Sequence, residues 1–243
     1  MSHFDLFCIP YAGGSASAIY GKWVQHLDPK IKVHPLELAG HGRRMSEPFH
    51  SSVKAAVADM METIRTRISE RPYAVYGHSM GTVFAYELAV AVQAAGLPQP
   101  RVLFLSGRQA PHYIYKDRDM HLLPASEFIK KIERIGGTPR QLFESEELVK
   151  IFLPILRDDY RLIEQYRFQP PGTKLDADIV FFFSDNDHLV DRLGVLEWKR
   201  YTTRSFELHD FKGGHFFINE KGAEICDTIN RKLKSYLAYS NHL

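Results

Sequence analysis

The stretch VYGHSMGTVFAYELAV, residues 75–90, joins an apolar run to a helical pattern through a serine between two glycines. Gly77, Ser79 and Gly81 fit the pattern G-x-S-x-G, in which a strand turns sharply into a helix and exposes the serine hydroxyl at the end of a sheet. Glycine is needed where neighbouring backbone passes close to the turn, because a Cβ atom would clash there. The stretch therefore predicts a buried strand, a tight turn and a helix, with Ser79 at the turn.

The composition is that of an ordinary globular chain. The 243 residues are 44% hydrophobic and 25% charged, which suits one α/β domain that carries an insertion. The formal net charge is +2 and both signs are interspersed, so we expect neither a nucleic-acid partner nor an anionic membrane partner. The longest uncharged run, residues 6–21, is shorter than the roughly 20 apolar residues that a bilayer requires.

The N-terminal segment and the cysteines favour a cytoplasmic protein. Asp5 interrupts the first apolar stretch and no basic region precedes it, so this segment predicts a first strand and not a signal peptide. Cys8 and Cys226 are the only cysteines, and both lie in apolar contexts. We therefore expect buried free thiols and no disulfide.

Strand-like and helical patterns alternate along most of the chain, which predicts a mostly parallel sheet flanked by helices. The expected strands are residues 4–10, 31–38, 73–76, 102–105, 179–183 and 206–211. The expected helices are residues 15–27, 53–68 and 220–237. The central strand runs show no alternation, as expected for strands buried on both faces, whereas the last run alternates and is expected nearer an edge.

A helix-rich segment interrupts this alternation at about residues 111–171, where apolar residues recur at the spacing of amphipathic helices. An insertion of this size in an α/β domain is typical of a lid or a substrate-binding cap, since structureless loops that long are uncommon. A helical decoration without function is the alternative. We predict a single domain over residues 1–243, with the lid at about 111–171.

A nucleophilic serine needs a base and an orienting acid, because a free hydroxyl barely ionises at neutral pH. The chain order for a nucleophile elbow is serine, acid, histidine. Asp185 and Asp187 follow the expected strand 179–183, and His215 follows the last expected strand. Both loops lie where ligand chemistry occurs in an open α/β sheet, outside the carboxyl ends of the strands. Asp187 is the better candidate for the acid because it lies further from its strand, whereas Asp185 could cap the turn.

Serine chemistry of this kind also needs backbone donors for the oxyanion. One is expected to be the N–H of Met80, which follows the serine, and the other the N–H of Ala12 or Tyr11 in the glycine-containing loop after the first strand. That loop is a poor phosphate site because no Lys-Ser/Thr follows its glycines. The triplet at residues 185–187 lacks the glycine and distal glutamate of a calcium loop, so we expect no metal.

Several longer motifs resemble those of the type II thioesterases that accompany non-ribosomal peptide and polyketide synthases, which have the α/β-hydrolase fold. The similarity covers nearly the whole chain, and its motifs are PYAGGSASAIY, ELAGHGRRMSEP, YGHSMGTVFAYELA, FKGGHFFI and the long insertion sequence that begins LPASEFIKKIERIGG. One departure is visible in the loop 38–48, where Ala39 and His41 replace the proline and arginine of an expected PGR.

The resemblance implies a hydrolase that removes acyl groups from the phosphopantetheine arms of acyl or peptidyl carrier proteins. It implies that Ser79 is the nucleophile, His215 the base and Asp187 the acid, with Ala12 and Met80 as backbone donors. Such an enzyme requires no metal and no soluble cofactor, since the substrate itself carries the phosphopantetheine. We expect it to act as a monomer.

The sequence IFLPIL in the insertion is apolar on more sides than a helix lying on one core needs. We therefore expect Phe152, Leu153 and Leu156 on the surface that faces the active site. Three other functions stay open: a small-molecule carboxylesterase with the same triad, an acyltransferase in which an alcohol or amine replaces water, and a non-catalytic binding protein of the hydrolase fold.

Overall fold

A computed structural model describes residues 3–113 and 119–239, and its centre is a six-stranded sheet in which all neighbouring strands are parallel. The strands are β1 (Phe4–Ile9), β2 (Ile31–Pro35), β3 (Tyr73–His78), β4 (Val102–Ser106), β5 (Asp178–Ser184) and β6 (Phe206–Phe211). Their order across the sheet is β2-β1-β3-β4-β5-β6. The predicted α/β class is therefore confirmed, and β6 is an edge strand as its alternation indicated.

This strand order places a topological switch point between β1 and β3. The chain moves outward from β1 to β2 and then returns past β1 to form β3, so the loops after β1 and β3 diverge from neighbouring positions. Ligands of open α/β sheets bind in the crevice at such a point, outside the carboxyl ends of the strands.

Helices cover both faces of the sheet. They are α1 (Ala16–Tyr20), α2 (Val53–Ile68), α3 (Met80–Ala94), α4 (Ala125–Ile135), α5 (Gln141–Glu144), α6 (Glu146–Gln165), α7 (Arg192–Leu196) and α8 (Gly222–Tyr239). Helix α2 begins where the sequence indicated, because the Ser52 hydroxyl accepts a hydrogen bond from the Ala55 N–H at 3.1 Å. Helix α1 is shorter than expected: a 3₁₀ turn starts at Gly21, a residue that disfavours the α-helix.

Two apolar clusters, one on each face, hold the sheet to its helices. Helices α2 and α3 contribute residues such as Met60 and Phe84 to one face, and α8 contributes residues such as Ile229 to the other. Cys8 and Cys226 belong to the second cluster as buried free thiols, which confirms that they form no disulfide. No helix in the described ranges has both the length and the apolar character needed to cross a membrane.

The insertion lies between β4 and β5 and contains α4, α5 and α6. The insertion has a small apolar cluster of its own, made by Met120, Phe128, Ile132 and Leu156. Part of the predicted lid, residues 114–118, lies outside the described residues. The division of the chain into one domain with a lid stays a prediction.

Gly77→Ala tests the close backbone contact at the turn between β3 and α3. A Cβ atom on Gly77 would overlap the Gly81 carbonyl and lie 2.8 Å from the Thr82 nitrogen, and neither group can move without distorting the turn. We expect a loss of about 3 kcal/mol in the free energy of unfolding, at the upper end of the range for overpacking.

Urea denaturation would measure this loss, with Gly172→Ala as the matched control. A Cβ atom on Gly172 meets no other atom within 4 Å. Equal stability of the two variants would show that the Gly77 contact does not constrain the fold.

Candidate active site

Ser79 lies at the turn between β3 and α3 in a strained backbone conformation. Its φ of 54° makes it the only non-glycine residue with a positive φ in the described ranges, and its ψ is −112°. Hydrogen bonds from two residues hold the turn. The Ser79 N–H donates to the Ser106 carbonyl at 2.8 Å. The Thr82 hydroxyl lies 2.9 Å from the Gly77 carbonyl and 2.7 Å from the Ser106 carbonyl. Strain of this kind persists only where the surroundings fix it, and it is concentrated at functional sites.

The loops after β5 and β6 bring an acid and a base to this serine. His215 Nε2 lies 2.9 Å from Ser79 Oγ, and His215 Nδ1 lies 2.8 Å from Asp187 Oδ2. An ionised carboxylate can only accept hydrogen bonds, so Nδ1 carries the proton and Nε2 is left with a lone pair toward the serine hydroxyl. This arrangement can move a proton from serine to imidazole and can stabilise the imidazolium that results.

The two candidate acids have different surroundings. Asp187 is buried, and its second oxygen accepts a hydrogen bond from the Leu189 N–H at 3.0 Å. Asp185 is exposed and pairs with Lys212 at 2.5 Å, an interaction that lowers the pKa of the Asp185 carboxyl. Asp185 also accepts from the Gly213 N–H at 3.3 Å, so it ties the β5 loop to the β6 loop. The structure thus brings Asp187, and not Asp185, to His215.

His78 is a residue of the site that sequence reasoning missed. Its ring is fully buried, lies 5.1 Å from the His215 ring between centroids, and places Nδ1 2.8 Å from Ser106 Oγ. Burial, followed by repulsion from a charged His215, holds the pKa of His78 well below its usual range, so the ring stays neutral. It packs behind His215 without adding charge. The residue is adjacent to Ser79 in sequence, but only the turn geometry shows that its ring faces inward.

Ser79 opens onto a cavity of about 60 Å³. Its walls come from the sheet loops and from the insertion, and include Ala12, Gly107, Ile132, Leu156, Tyr160 and Phe216. Ala12 thus lines the same cavity as Ser79, and its role as an oxyanion donor stays a prediction. Met80 is the first residue of α3, so its N–H is one of the helix N-terminal donors that have no partner within the helix.

The insertion residues predicted to face the site divide into two groups. Leu156 lines the cavity, whereas Phe152 and Leu153 are not among its lining residues. Leu153 packs on the apolar cluster within the insertion, beside Leu156. Leu153 and Leu156 are three residues apart and share a face of α6, and Leu156 belongs to that cluster while it also lines the cavity.

The described ranges contain no group of three His, Cys, Asp or Glu side chains arranged to hold a metal ion. A buried carboxylate lies near the site instead. Asp159 of α6 is fully buried, and its Oδ2 is 2.7 Å from the Gly13 nitrogen and 2.9 Å from His41 Nε2. Sequence reasoning missed Asp159, although it falls three residues after Leu156 on the buried stripe of α6. A charged residue on such a stripe is the signal that could have found it.

Comparison with known proteins gives the same family from sequence and from structure. A profile of the thioesterase domain matches residues 4–233. Linear gramicidin dehydrogenase LgrE of Brevibacillus parabrevis is 35% identical, with 96% of this chain and 88% of that protein covered.

Two solved structures are similar over nearly their whole length. ClbQ from the colibactin NRPS/PKS pathway has a TM-score of 0.91 at 37% identity, with 96% of this chain and 98% of that chain covered. The type II thioesterase BorB from the borrelidin biosynthetic cluster has a TM-score of 0.85 at 33% identity, with 95% and 93% covered. The chain therefore belongs to the thioesterase family, as a hydrolase of thioester bonds similar to the type II thioesterases of non-ribosomal peptide and polyketide pathways.

Proposed function

We propose that this enzyme removes acyl groups from the phosphopantetheine arms of carrier proteins through an acyl-enzyme on Ser79. The observation that carries the proposal is the continuous hydrogen-bond chain from Ser79 through His215 to Asp187, which opens onto a cavity walled by the insertion. The similarity to ClbQ, a protein of the colibactin NRPS/PKS pathway, supports carrier proteins as partners.

In the acylation step, His215 Nε2 takes the proton from Ser79 Oγ while the oxygen attacks the thioester carbonyl. The carbon–sulfur bond then breaks, and the imidazolium returns its proton to the departing pantetheine sulfur. The Asp187 carboxylate stabilises the imidazolium and accepts the hydrogen bond from its Nδ1–H in every step. The thiol leaves readily because it is far more acidic than an alcohol.

In the deacylation step, His215 activates a water molecule that attacks the acyl-serine. The ester bond breaks, Ser79 regains its proton from the imidazolium, and the carboxylic acid leaves. No metal or soluble cofactor enters either step, because the imidazole moves every proton and the substrate brings its own phosphopantetheine.

The backbone N–H groups of Met80 and Ala12 stabilise the oxyanion in both steps. Met80 supplies a donor at the N-terminus of α3, where the helix dipole also favours negative charge. Ala12 lies on the loop after β1, which meets β3 at the switch point of the sheet. The insertion acts as a lid that walls the acyl site on the side opposite the sheet.

One relative's name, Linear gramicidin dehydrogenase LgrE, raises a redox function as an alternative. In dinucleotide-binding sheets, the cofactor pyrophosphate lies on the N-terminus of the helix after the first strand. Here the Glu37 carboxylate occupies that position and accepts from the N–H groups of Ala16 at 2.8 Å and Ser17 at 3.4 Å. A carboxylate there repels a pyrophosphate, so the geometry favours thioester hydrolysis.

We place the enzyme in the cytoplasm, where its buried thiols stay reduced and carrier proteins are made. We also propose that it works as a monomer, since Ser79, His215 and Asp187 all come from one chain.

Ser79→Ala tests the nucleophile. We expect thioester hydrolysis to fall by about 10⁴- to 10⁶-fold, because the acyl-enzyme cannot form. Thermal unfolding should change little, since the turn depends on backbone contacts at Gly77 and Gly81 and not on the hydroxyl. Mass spectrometry should detect an acylated protein with wild type alone. Near-normal turnover by Ser79→Ala would rule out the proposed mechanism.

Asp187→Asn and Asp185→Asn form a matched pair that tests the acid. Asparagine at 187 offers an N–H where His215 needs an acceptor, so we expect a loss of about 10⁴-fold in kcat. Asp185→Asn removes the exposed ion pair with Lys212, and such pairs contribute little to stability. Asparagine keeps an oxygen that can accept from the Gly213 N–H, so the contact between the two loops is retained. Steady-state kinetics on one thioester would compare the two. The reverse order of losses would refute the assignment of Asp187.

The carrier partner can be tested with one acetyl group on two thiols. We expect a higher kcat/KM for acetyl on a holo carrier protein than for acetyl-N-acetylcysteamine, because the protein adds a docking surface. The preference should depend only weakly on salt, since the segment 112–169 has equal numbers of basic and acidic residues. Equal efficiency on both substrates would favour a small-molecule esterase instead.

A further inference from the structure

Helix α6 of the insertion contacts the loop after β1 at two neighbouring points. Asp159 Oδ2 accepts a hydrogen bond from the Gly13 N–H at 2.7 Å. One helical turn earlier, the Leu156 side chain packs so closely on Gly13 that a Cβ atom there would overlap it. Leu156 also lines the cavity at Ser79. The insertion thus holds the loop directly beside the site.

This contact fixes the direction of the Ala12 N–H. Residues 11–14 form a β-turn in which the Gly14 N–H donates to the Tyr11 carbonyl at 2.9 Å and Gly13 has a φ of 76°. In a trans peptide, the N–H of Ala12 points opposite to the Tyr11 carbonyl. The hydrogen bond across the turn fixes the carbonyl of the Tyr11–Ala12 peptide. Asp159 fixes the N–H of Gly13, the residue after Ala12. Together the two bonds set where the Ala12 N–H points.

His41 completes the arrangement beside Asp159. Its Nδ1 lies 3.1 Å from the Ala39 carbonyl and its Nε2 lies 2.9 Å from Asp159 Oδ2. A carbonyl and an ionised carboxylate only accept hydrogen bonds, so both bonds form together when both ring nitrogens carry protons. His41 is 3% exposed and Asp159 is 0% exposed, which makes this a buried ion pair whose partners depend on each other.

We propose that Asp159 is a positioning residue for thioester hydrolysis: it holds the 11–14 turn so that the Ala12 N–H points at the oxyanion, and the His41 cation holds the Asp159 carboxylate in place. The inference rests on the proposed function, since it gives Ala12 its role at the oxyanion. It assigns to the insertion a part in the chemical step, in addition to walling the cavity.

The protonation of His41 gives the arrangement a pH dependence. Burial lowers the pKa of His41, but the Asp159 carboxylate and the Ala39 carbonyl more than offset this and raise it above its usual value. The acidic groups that act on His41 are Asp159 and Asp158 from α6 and Glu37 after β2. Because the folded-state pKa is raised, the ion pair contributes fully below the usual histidine pKa and is lost as pH rises through the raised value.

Asp159→Asn is the direct test, with Asp158→Asn as the matched control. Both variants remove one carboxylate from α6, but Asp158 pairs with Arg161 at 2.8 Å and not with the turn. We expect Asp159→Asn to lower kcat by about 10²-fold with KM for an acetylated carrier protein unchanged, because the donor is misplaced and the binding surface is intact. Asp158→Asn should retain wild-type kcat.

Inhibition by a trifluoromethyl ketone is a measurement that would not change if Asp159 had a purely structural role. Ser79 Oγ bonds to the ketone carbon, the hydroxyl proton moves to His215, and the ketone oxygen becomes the oxyanion. We expect the inhibition constant of an alkyl trifluoromethyl ketone to rise about 10²-fold in Asp159→Asn, in parallel with the loss in kcat. Wild-type kcat and wild-type inhibition in Asp159→Asn, or equal losses in both Asn variants, would overturn the proposal.

His41→Gln tests the cation independently, should Asp159→Asn fail to fold. Glutamine can donate to Asp159 but carries no charge and does not titrate. We expect wild-type kcat/KM to exceed that of His41→Gln at neutral pH and to converge with it at alkaline pH. Profiles that stay parallel over this range would overturn the role of His41. Activity of Ser79→Ala would instead refute the proposed function, so the two failures are distinguishable.

Discussion

The site depends on the close approach of bare backbone at the turn between β3 and α3. Gly77 lies against the Gly81 carbonyl, and a Cβ atom on Gly81 would lie 2.5 Å from the Ile9 carbonyl. Three segments therefore meet without side chains between them: the end of β3, the start of α3 and the end of β1. Ser79 has its positive φ between these two glycines, and the close approach at Gly81 brings the end of β1 next to the turn. Any side chain at these glycines would separate the serine from the loop that carries Ala12.

The parallel sheet supplies the other groups because all its strands end on one side. The loops after β5 and β6 place Asp187 and His215 at the carboxyl end of the strands, where Ser79 follows β3. These loops are tied to each other by Asp185, which bonds to Lys212 and Gly213. The rigid strands thus set the positions of the three side chains, and short hydrogen-bonded loops set their orientations. A site built in this way needs little rearrangement when charge develops in the reaction.

Sequence alone predicts the strands, and it also predicts the cluster of Ser79, Asp187 and His215. Each of these features follows from a local sequence pattern together with the chain order. The elbow is a contiguous motif, and the acid and base follow strands that are plain apolar runs. His78 and Asp159 could not be assigned in this way, because their roles depend on which side chains meet after folding. The expectation that Phe152 and Leu153 face the active site stays a prediction, because apolarity shows that a helix face is buried but not which partner covers it.

The insertion is more than a cover over the cavity. Leu156 and Asp159 lie on one face of α6, and both contact Gly13, so the cavity wall and the support of the 11–14 turn belong to the same rigid helix. A displacement of α6 away from the sheet would widen the cavity and break the Gly13 hydrogen bond in one movement. It would also break the buried 2.9 Å contact between His41 and Asp159. The position of α6 and the conformation of the 11–14 turn are therefore coupled through the contacts that Leu156 and Asp159 make with Gly13.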